Sequence, residues 1–228
     1  GCMHCNVRLN SVFNVLDEDQ VKDLCIHKSC AVYKKGQYVF TENGLPAGLF
    51  CINSGKIKLT TTGYDGKEQI LRLVKSGDIV GYRALLSNER YHCSAVTLED
   101  ASICIIDKKY FFEAIESSPK LMFEVVRKMS QDLKVAEDHI VSLSQKNVRE
   151  RIAEALLFLK ATYGFEQDNQ TINVSLSREE IADYVGTSTE SCIRLLSEFN
   201  NDKLISLKGK KISIVNLQKL IQTANIED

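Results

Sequence analysis

The sequence lacks the features that mark several large classes of protein. No apolar run is long enough to span a membrane, and no secretion signal stands at the start. No HExxH, nucleophile elbow or P-loop motif is present, and the four histidines His4, His27, His92 and His139 are scattered. We therefore expect a cytoplasmic protein that is not an enzyme.

An excess of charge of either sign is also missing. Lys and Arg number 29 and Asp and Glu number 30, which leaves a net charge of −1. This balance gives no global indication of nucleic-acid binding. Any contact with DNA must therefore depend on local clusters of basic residues.

Cysteine, by contrast, is abundant, with eight in the chain. Five of them lie among apolar residues: Cys25, Cys51, Cys93, Cys104 and Cys192. Without a secretion signal, we predict that these are reduced core thiols and not a disulfide framework. With 228 residues, 44% of them apolar and 26% charged, the chain should form about two globular domains.

An apolar heptad repeat runs from Pro119, which suits the first turn of a helix, to Asn147. Its positions are spaced alternately by four and three residues: Met122, Val126, Met129, Leu133, Ala136, Ile140, Leu143 and Asn147. A stripe this narrow favours a partner helix over a broad core. We predict a parallel homodimer whose register Asn147 fixes. An amphipathic helix packed on its own subunit is the alternative.

Residues 30–107 alternate brief β-rich segments with glycines. The predicted strands are Gln37–Thr41, Leu49–Asn53, Lys56–Thr61, Gln69–Val74 and Ala101–Ile106. Asp65-Gly66 is typical of a hairpin turn. These patterns predict an antiparallel barrel or roll, followed by helices at Tyr110–Ile115 and Val148–Thr162.

The sharpest local pattern lies between residues 174 and 215. Ser177 and Glu180 form a capping box at the start of a helix, and Gly186 ends it. A second helix over Glu190–Phe199, capped by Thr187 or Ser188, has Cys192, Leu195, Leu196 and Phe199 on its inner face. The pair predicts a helix-turn-helix. Two short strands joined by Lys208-Gly209-Lys210 then form a wing.

The order of these elements resembles the family of the cyclic-AMP receptor protein and FNR, which are bacterial transcription regulators. The motifs that carry the resemblance are Asn53-Ser54-Gly55, Asp65-Gly66-Lys67-Glu68, Gly77-Asp78, the winged helix-turn-helix from Leu176 to Gly186, and the FNR-like stretch from Ser144 to Arg151. The resemblance implies an α+β fold with a cyclic-nucleotide-binding-type β-roll over residues 1–118, a dimerisation helix over 119–147 and a winged helix-turn-helix over 148–228.

The resemblance also implies the partners of the chain. These are double-stranded DNA, a second copy of the chain and RNA polymerase, with no membrane. A ligand-binding module that regulates another protein is the alternative function. The wing and the second helix of the helix-turn-helix disfavour that alternative, since such a module needs neither.

The exposed face of the second helix is predicted to read DNA bases through Thr189, Glu190, Ile193 and Arg194. Arg suits the O6 and N7 atoms of guanine and Glu suits the N4 amine of cytosine. Relatives carry Glu and Arg at the positions of Glu190 and Arg194, which predicts a G·C pair in each half-site. Phosphate contacts are predicted for Ser177, Arg178, Ser188, Lys208, Lys210 and Lys211. Each of the two charged residues has an alternative interpretation when it is considered alone. Glu190 in the first turn also suits a favourable interaction with the helix dipole, and Arg194 also suits an exposed surface position.

Relatives that bind cyclic nucleotides use Gly-Glu-Leu and Arg-Ser-Ala triplets, which here read Gly81-Tyr82-Arg83 and Cys93-Ser94-Ala95. The phosphate-binding Arg and the ribose-binding Glu are both replaced, and Glu137 would repel an anion. We therefore expect no binding of cyclic AMP. Either side chains fill the pocket, or another small ligand contacts Tyr82, Arg83, Arg90, Cys93, Ser94 and Glu137.

Cys2, Cys5 and Cys104 match three cluster ligands of FNR, whereas the fourth position is Ser11. An iron–sulfur cluster requires four thiolates, and His4, Cys25 or Cys30 are the residues that would complete a set. A zinc ion on Cys2, Cys5 and two others is the second option. We favour the interpretation without metal. FNR carries an acidic residue at the position of Ala136, whereas the heptad seam of this chain is uncharged there. Two copies of such a seam should pair without the help of a cofactor.

Overall fold

The computed structural model describes residues 6–226, which divide into two compact units. The first unit comprises the chain up to Thr61 together with Arg72–Val135, and the second comprises Thr62–Leu71 and the chain from Ala136 onward. Within the described range, no helix combines the length and the apolar character needed to cross a bilayer.

The first unit begins with helical turns and then forms most of a β-roll, of which residues 62–71 belong to the second unit. Two 3-10 helices, Asn6–Asn10 and Val12–Val15, precede α1 (Glu18–Ile26). The strands are β1 (Lys28–Tyr33), β2 (Tyr38–Phe40), β3 (Gly48–Ser54), β4 (Ile57–Thr62), β5 (Glu68–Val74), β6 (Ile79–Val80), β7 (Ser94–Thr97) and β8 (Ala101–Asp107). The helices are α2 (Tyr82–Ser87) and α3 (Lys108–Ser117). The predicted strands and the short helix are present, with ends that move by one or two residues.

Two four-stranded sheets build the roll, with strand orders β1-β8-β3-β6 and β2-β7-β4-β5. The turn between β4 and β5 closes as predicted, with Gly66 at φ 78° and the Gly63 N–H donating to the Lys67 carbonyl at 2.9 Å. One apolar core, which includes Ile52 and Ile57, contains residues of both sheets. A second core joins β3, β8 and the helices α1 and α3.

Helix α4 (Pro119–Gln145) runs for 27 residues without interruption. Leu121 and Val125 are buried in the second core of the first unit. The seven apolar positions of the predicted seam are all exposed: Met122, Val126, Met129, Leu133, Ala136, Ile140 and Leu143. The helix therefore presents an apolar stripe outward along its length.

The predicted role of Asn147 in this seam is wrong. Asn147 lies beyond α4 and is the N-cap of α5 (Val148–Tyr163), where its side chain accepts a hydrogen bond from the Glu150 N–H at 3.0 Å. The Glu150 carboxylate in turn accepts a hydrogen bond from the Asn147 N–H at 2.8 Å. The capping box satisfies free N–H groups at a helix start, and this local demand outweighs the heptad spacing.

The second unit holds the remaining helices and a small hairpin. These are α6 (Arg178–Val185), α7 (Thr189–Asn201), β9 (Ile205–Lys208), β10 (Lys211–Ile214) and α8 (Leu217–Ala224). Its core contains Leu156, Leu196, Phe199 and Leu220, each fully buried. The predicted wing is present as the antiparallel pair of β9 and β10.

The prediction of reduced cysteines is wrong for Cys104. Its sulfur is bonded to that of Cys30, 74 residues away in sequence. Antiparallel pairing of β1 with β8 places the two residues directly opposite each other, and only the sheet topology reveals this proximity. Cys93 and Cys192 are buried thiols, as predicted.

Candidate nucleic-acid interface

The start and the end of α6 are fixed by short-range sequence signals. The Ser177 hydroxyl accepts from the Glu180 N–H at 3.0 Å, and the Glu180 carboxylate accepts from the Ser177 N–H at 2.8 Å. Gly186 then ends the helix with φ 71°. A Cβ atom at Gly186 would lie 2.9 Å from Cδ2 of Leu143, so both the backbone angle and the space favour glycine. These features match the predicted capping box and turn.

Helix α7 follows α6 after three residues and is anchored by its apolar face. Ser188 is the N-cap, and its hydroxyl accepts from the Ser191 N–H at 3.2 Å. The four predicted inner residues are all buried: Cys192, Leu195, Leu196 and Phe199. Burial raises the pKa of the Cys192 thiol to about 11. The opposite face of the helix is thereby held toward solvent.

A residue that the sequence analysis missed secures the turn between the two helices. Arg151 on α5 donates from Nε to the Val185 carbonyl at 3.0 Å and from Nη2 to the Gly186 carbonyl at 3.1 Å. Its Nη1 donates to the Lys146 carbonyl at 2.9 Å. Arg151 therefore caps the last carbonyls of α6. No local pattern marks this role, because Arg151 and Val185 are 34 residues apart.

The outward face of α7 carries the predicted base-reading residues. Glu190 and Ile193 are exposed, Thr189 is half-buried, and the Arg194 side chain is 64% exposed. Arg194 Nη1 lies 2.7 Å from Glu198 one turn further along the helix. Glu198 also pairs with Arg149 at 2.9 Å. The guanidinium of Arg194 is therefore extended along the helix and held at the surface by a carboxylate.

Basic side chains cluster at the wing. Lys208 and Lys211 are paired across the hairpin, and Lys210 lies in the turn between them. All three are exposed, although Lys211 contacts Glu166 at 2.8 Å. Arg178 at the start of α6 donates from Nη2 to the Gly209 carbonyl at 2.8 Å. Arg178 thus joins the start of α6 to the wing tip that carries the lysines, while the Ser177 and Ser188 hydroxyls are engaged as helix caps.

Comparison with known proteins identifies both parts of the chain. The family model described as "Cyclic nucleotide-binding domain" matches residues 31–118, and that described as "Crp-like helix-turn-helix domain" matches residues 150–223. The fumarate and nitrate reduction regulatory protein of Vibrio cholerae is 30% identical over 230 residues, covering 99% of this chain and 90% of the relative. The chain belongs to the CRP/FNR family. It is a DNA-binding transcription regulator, and this family is not one of enzymes.

Further relatives of this CRP/FNR regulator agree in sequence and in fold. The transcriptional activator protein anr of Pseudomonas aeruginosa is 31% identical over 194 residues, covering 84% of this chain and 78% of the relative. The solved structure of FixK2 from Bradyrhizobium japonicum superposes with a TM-score of 0.78 at 22% identity, covering 88% of this chain and 99% of FixK2. The predicted α+β fold with its β-roll, long helix and helix-turn-helix is confirmed.

In this CRP/FNR regulator, Tyr82, which the resemblance aligns with the ribose-binding Glu of relatives that bind cyclic nucleotides, is buried in a network of charged side chains. Its hydroxyl donates to Asp132 and accepts from Arg72 Nη1 at 3.0 Å. Arg72 and Asp132 pair at 2.8 Å, and Lys128 contacts Asp132 at 3.0 Å. Burial raises the pKa of Tyr82, which keeps the hydroxyl protonated. The sequence analysis named Tyr82 but missed Arg72, Lys128 and Asp132.

The other residues named for an effector pocket are engaged separately. Arg83 lies 3.6 Å from Glu89, and Arg90 Nη1 donates to the Asn43 carbonyl at 2.8 Å. Ser94 accepts from the Glu42 N–H at 2.9 Å. Burial raises the pKa of Cys93 to about 11, so the residue that the resemblance aligns with the phosphate-binding Arg of relatives is a neutral thiol. Glu137 is exposed on α4 and belongs to the second unit.

The residues named for a metal site in this CRP/FNR regulator are not brought together in the described part of the chain. Cys2, His4 and Cys5 lie outside residues 6–226, and Cys104 is bonded to Cys30. The Ser11 hydroxyl donates to the Arg8 carbonyl and accepts from the Phe13 N–H. Among the described residues, no group of three or more His, Cys, Asp or Glu side chains is placed to hold a metal ion. A cluster that uses Cys104 does not fit this arrangement, because a disulfide sulfur is not a thiolate ligand.

Proposed function

We propose that this regulator binds a pseudo-palindromic duplex as a homodimer, reads one half-site with each α7, and acts without cyclic AMP. The observation that carries the proposal is the exposed position of Glu190 and Arg194 on a helix whose opposite face is buried. In a helix-turn-helix the exposed face of the second helix enters the major groove. Phosphate contacts from Ser177, Arg178, Ser188, Lys208, Lys210 and Lys211 would set its position on the duplex.

The chemistry of the exposed face indicates a G·C pair in each half-site. Arg194 offers two donors to guanine O6 and N7, and Glu190 accepts from cytosine N4. Thr189 and Ile193 lie beside them, and the Ile193 side chain suits the methyl group of thymine. Arg194 must leave Glu198 to reach a base. An exposed ion pair is worth about 0.2–1 kcal/mol and a bidentate guanine contact about 1–3 kcal/mol, so the exchange favours the base.

Fluorescence anisotropy on two duplexes tests the role of Arg194. One duplex carries the G·C pair in each half-site, and the other replaces it with A·T. We expect Arg194→Ala to weaken binding to the G·C duplex by about 10- to 100-fold and to remove the preference between the duplexes. Lys109→Ala, which removes the same charge from an 86% exposed side chain on α3, is the matched control. A variant at Arg194 that keeps the preference would contradict the proposal.

The exposed stripe of α4 supports the homodimer. An apolar heptad seam that carries no charge at its seven positions pairs readily with a second copy. Two copies related by a two-fold axis would present two α7 helices to half-sites about 34 Å apart. We expect Leu133→Glu to yield monomers in analytical ultracentrifugation, since Leu133 is 60% exposed and the charge does not enter the core. Gln131→Glu adds the same charge at an exposed position off the seam and should leave the dimer intact. A wild-type chain that binds the duplex as a monomer contradicts this part.

The replaced ligand-binding residues support independence from cyclic AMP. Tyr82 and Cys93 stand where relatives that bind the nucleotide carry Glu and Arg, and neither provides a charge for ribose or phosphate. We expect isothermal titration with cyclic AMP to give no binding heat and duplex affinity to be unchanged. Saturable binding would contradict this part.

We further propose a cytoplasmic location, where bacterial DNA lies, and contact with RNA polymerase at the promoter. A supershift of the regulator–promoter complex by added polymerase tests that contact. Polymerase that binds the promoter equally with and without the regulator would contradict it.

A further inference from the structure

The outer edge of the first sheet carries a pair of sulfur atoms that the DNA-binding function does not use. Cys30 on β1 and Cys104 on β8 are directly opposite and bonded. Cys51 on β3 stands in register on the other side of Cys104. Cys104 is therefore the middle one of three cysteines in a row across three strands.

The two bonded sulfur atoms have different access to solvent. Cys30 is exposed on the edge strand of its sheet, as are its neighbours Ser29 and Ala31. Cys104 is only 7% exposed and lines an apolar cavity together with Leu24 and residues of β3. A reagent in solution therefore reaches the pair from the side of Cys30.

We propose that Cys30 and Cys104 form a reversible thiol–disulfide site that responds to small-molecule thiols and disulfides. The proposal rests on the cytoplasmic location proposed above, because disulfides in that reducing compartment are usually transient and redox-sensing. Exposure of one partner supports reversibility, since exposed disulfides are the more easily reduced ones.

Oxidation proceeds by two exchange steps. The Cys30 thiolate attacks one sulfur of a small-molecule disulfide, which forms a mixed disulfide and releases one small thiolate. The Cys104 thiolate then attacks Cys30 Sγ, forms the Cys30–Cys104 bond and releases the second small thiolate. Two cysteine thiols lose two electrons and two protons in total, and the small disulfide becomes two thiols. Reduction is the reverse.

The bond has two consequences for the first unit. It links β1 covalently to β8, which is the only neighbour of β1 in its described sheet. This link adds to the backbone hydrogen bonds between the two strands. It also removes the Cys104 thiolate, so the oxidised chain cannot offer this residue to a metal ion. Oxidation and metal coordination at Cys104 exclude each other.

The test equilibrates the purified full chain with mixtures of reduced and oxidised glutathione. Thiols are then alkylated with N-ethylmaleimide under native conditions and mapped by peptide mass spectrometry. We expect Cys30 to pass from the bonded to the alkylated form as the share of reduced glutathione rises, and Cys104 to leave the bonded form over the same range as a thiol that its burial keeps unalkylated. Hydrogen exchange of β1 amides should become faster over the same range.

Cys93 and Cys192 are internal references, because both are buried and their raised pKa disfavours the reactive thiolate. They should stay unmodified throughout. The Cys30→Ser variant, altered only at an exposed site, should lose the glutathione dependence of β1 exchange.

A pair that stays fully bonded or fully reduced across all mixtures overturns the inference, and so does a linkage of Cys104 to Cys51 in place of Cys30. No DNA is present in this titration. A chain that binds its duplex but has an unresponsive pair therefore refutes this inference and leaves the proposed function standing.

Discussion

Asp132 provides a stringent test of how the first unit is stabilised. Its carboxylate contacts Arg72 at 2.8 Å, Lys128 at 3.0 Å and the Tyr82 hydroxyl, and the three charged side chains are only 14–19% exposed. The substitution Asp132→Asn keeps the shape of the side chain and removes the charge. Arg72 is then left with the Tyr82 hydroxyl alone among these partners, whereas Lys128 keeps Asp78 at 2.9 Å.

The expected cost follows from these contacts. Removing one partner of a buried ion pair costs about 3–5 kcal/mol. Lys128 retains Asp78, and the charged side chains are partly exposed to solvent. We therefore expect Asp132→Asn to lower the free energy of unfolding by about 2–3 kcal/mol. Urea denaturation followed by far-ultraviolet circular dichroism measures this change.

A matched control separates this effect from the loss of any aspartate charge. The Asp19–Lys22 pair is exposed, at 92% and 59%, and Asp19→Asn should change the free energy of unfolding by less than about 0.5 kcal/mol. The double change Arg72→Leu with Asp132→Leu should recover stability relative to either single change, since a charge is no longer left alone. Equal losses for Asp132→Asn and Asp19→Asn would refute the reasoning.

Three further predictions concern other sites. Gly186→Ala should lower the free energy of unfolding by about 1–2 kcal/mol, because Gly186 has a φ of 71° and a Cβ atom there would meet Leu143. Urea denaturation measures this change, and an unchanged midpoint would contradict the prediction. Burial lowers the pKa of His139 from 6.5, so the unfolded chain binds a proton more readily. The free energy of unfolding should therefore fall as pH drops below 6.5, and His139→Gln should flatten that dependence. Reducing the Cys30–Cys104 bond, whose residues are 74 positions apart, should lower the free energy of unfolding by up to about 4.5 kcal/mol; equal midpoints with and without dithiothreitol would speak against it.

Local patterns predicted the elements that carry the site. The capping box at Ser177, the turn at Gly186 and the buried face of α7 each depend on residues within one or two helical turns, so their spacing in the sequence is their spacing in the structure. A local signal was also overlooked at Asn147. Asn147 and Glu150 also form a capping pair, and the heptad interpretation overlooked it.

Contacts between distant parts of the chain could not be predicted in this way. Arg151 reaches a turn 34 residues away, Arg72 meets Asp132 across 60 positions, and Cys30 meets Cys104 across 74. Each pairing depends on which strands and helices become neighbours. The sequence determines these pairings only through the complete fold, so no local pattern in it predicts them.

The carboxylate of Glu198 has a consequence for how the protein distinguishes one duplex from another. In the proposed complex, its ion pair with Arg194 at 2.7 Å competes with every base that the helix meets. A base that offers a single weak acceptor leaves the arginine where it is, and the groove then faces a neutralised ion pair. Only a base that exceeds the hold of Glu198 draws Arg194 across. The proposed readout therefore has a threshold set by the ion pair. Removing Glu198 is expected to tighten binding to a right site by the full strength of that pair and to a wrong site by less, because there the new base contact is weaker than the pair.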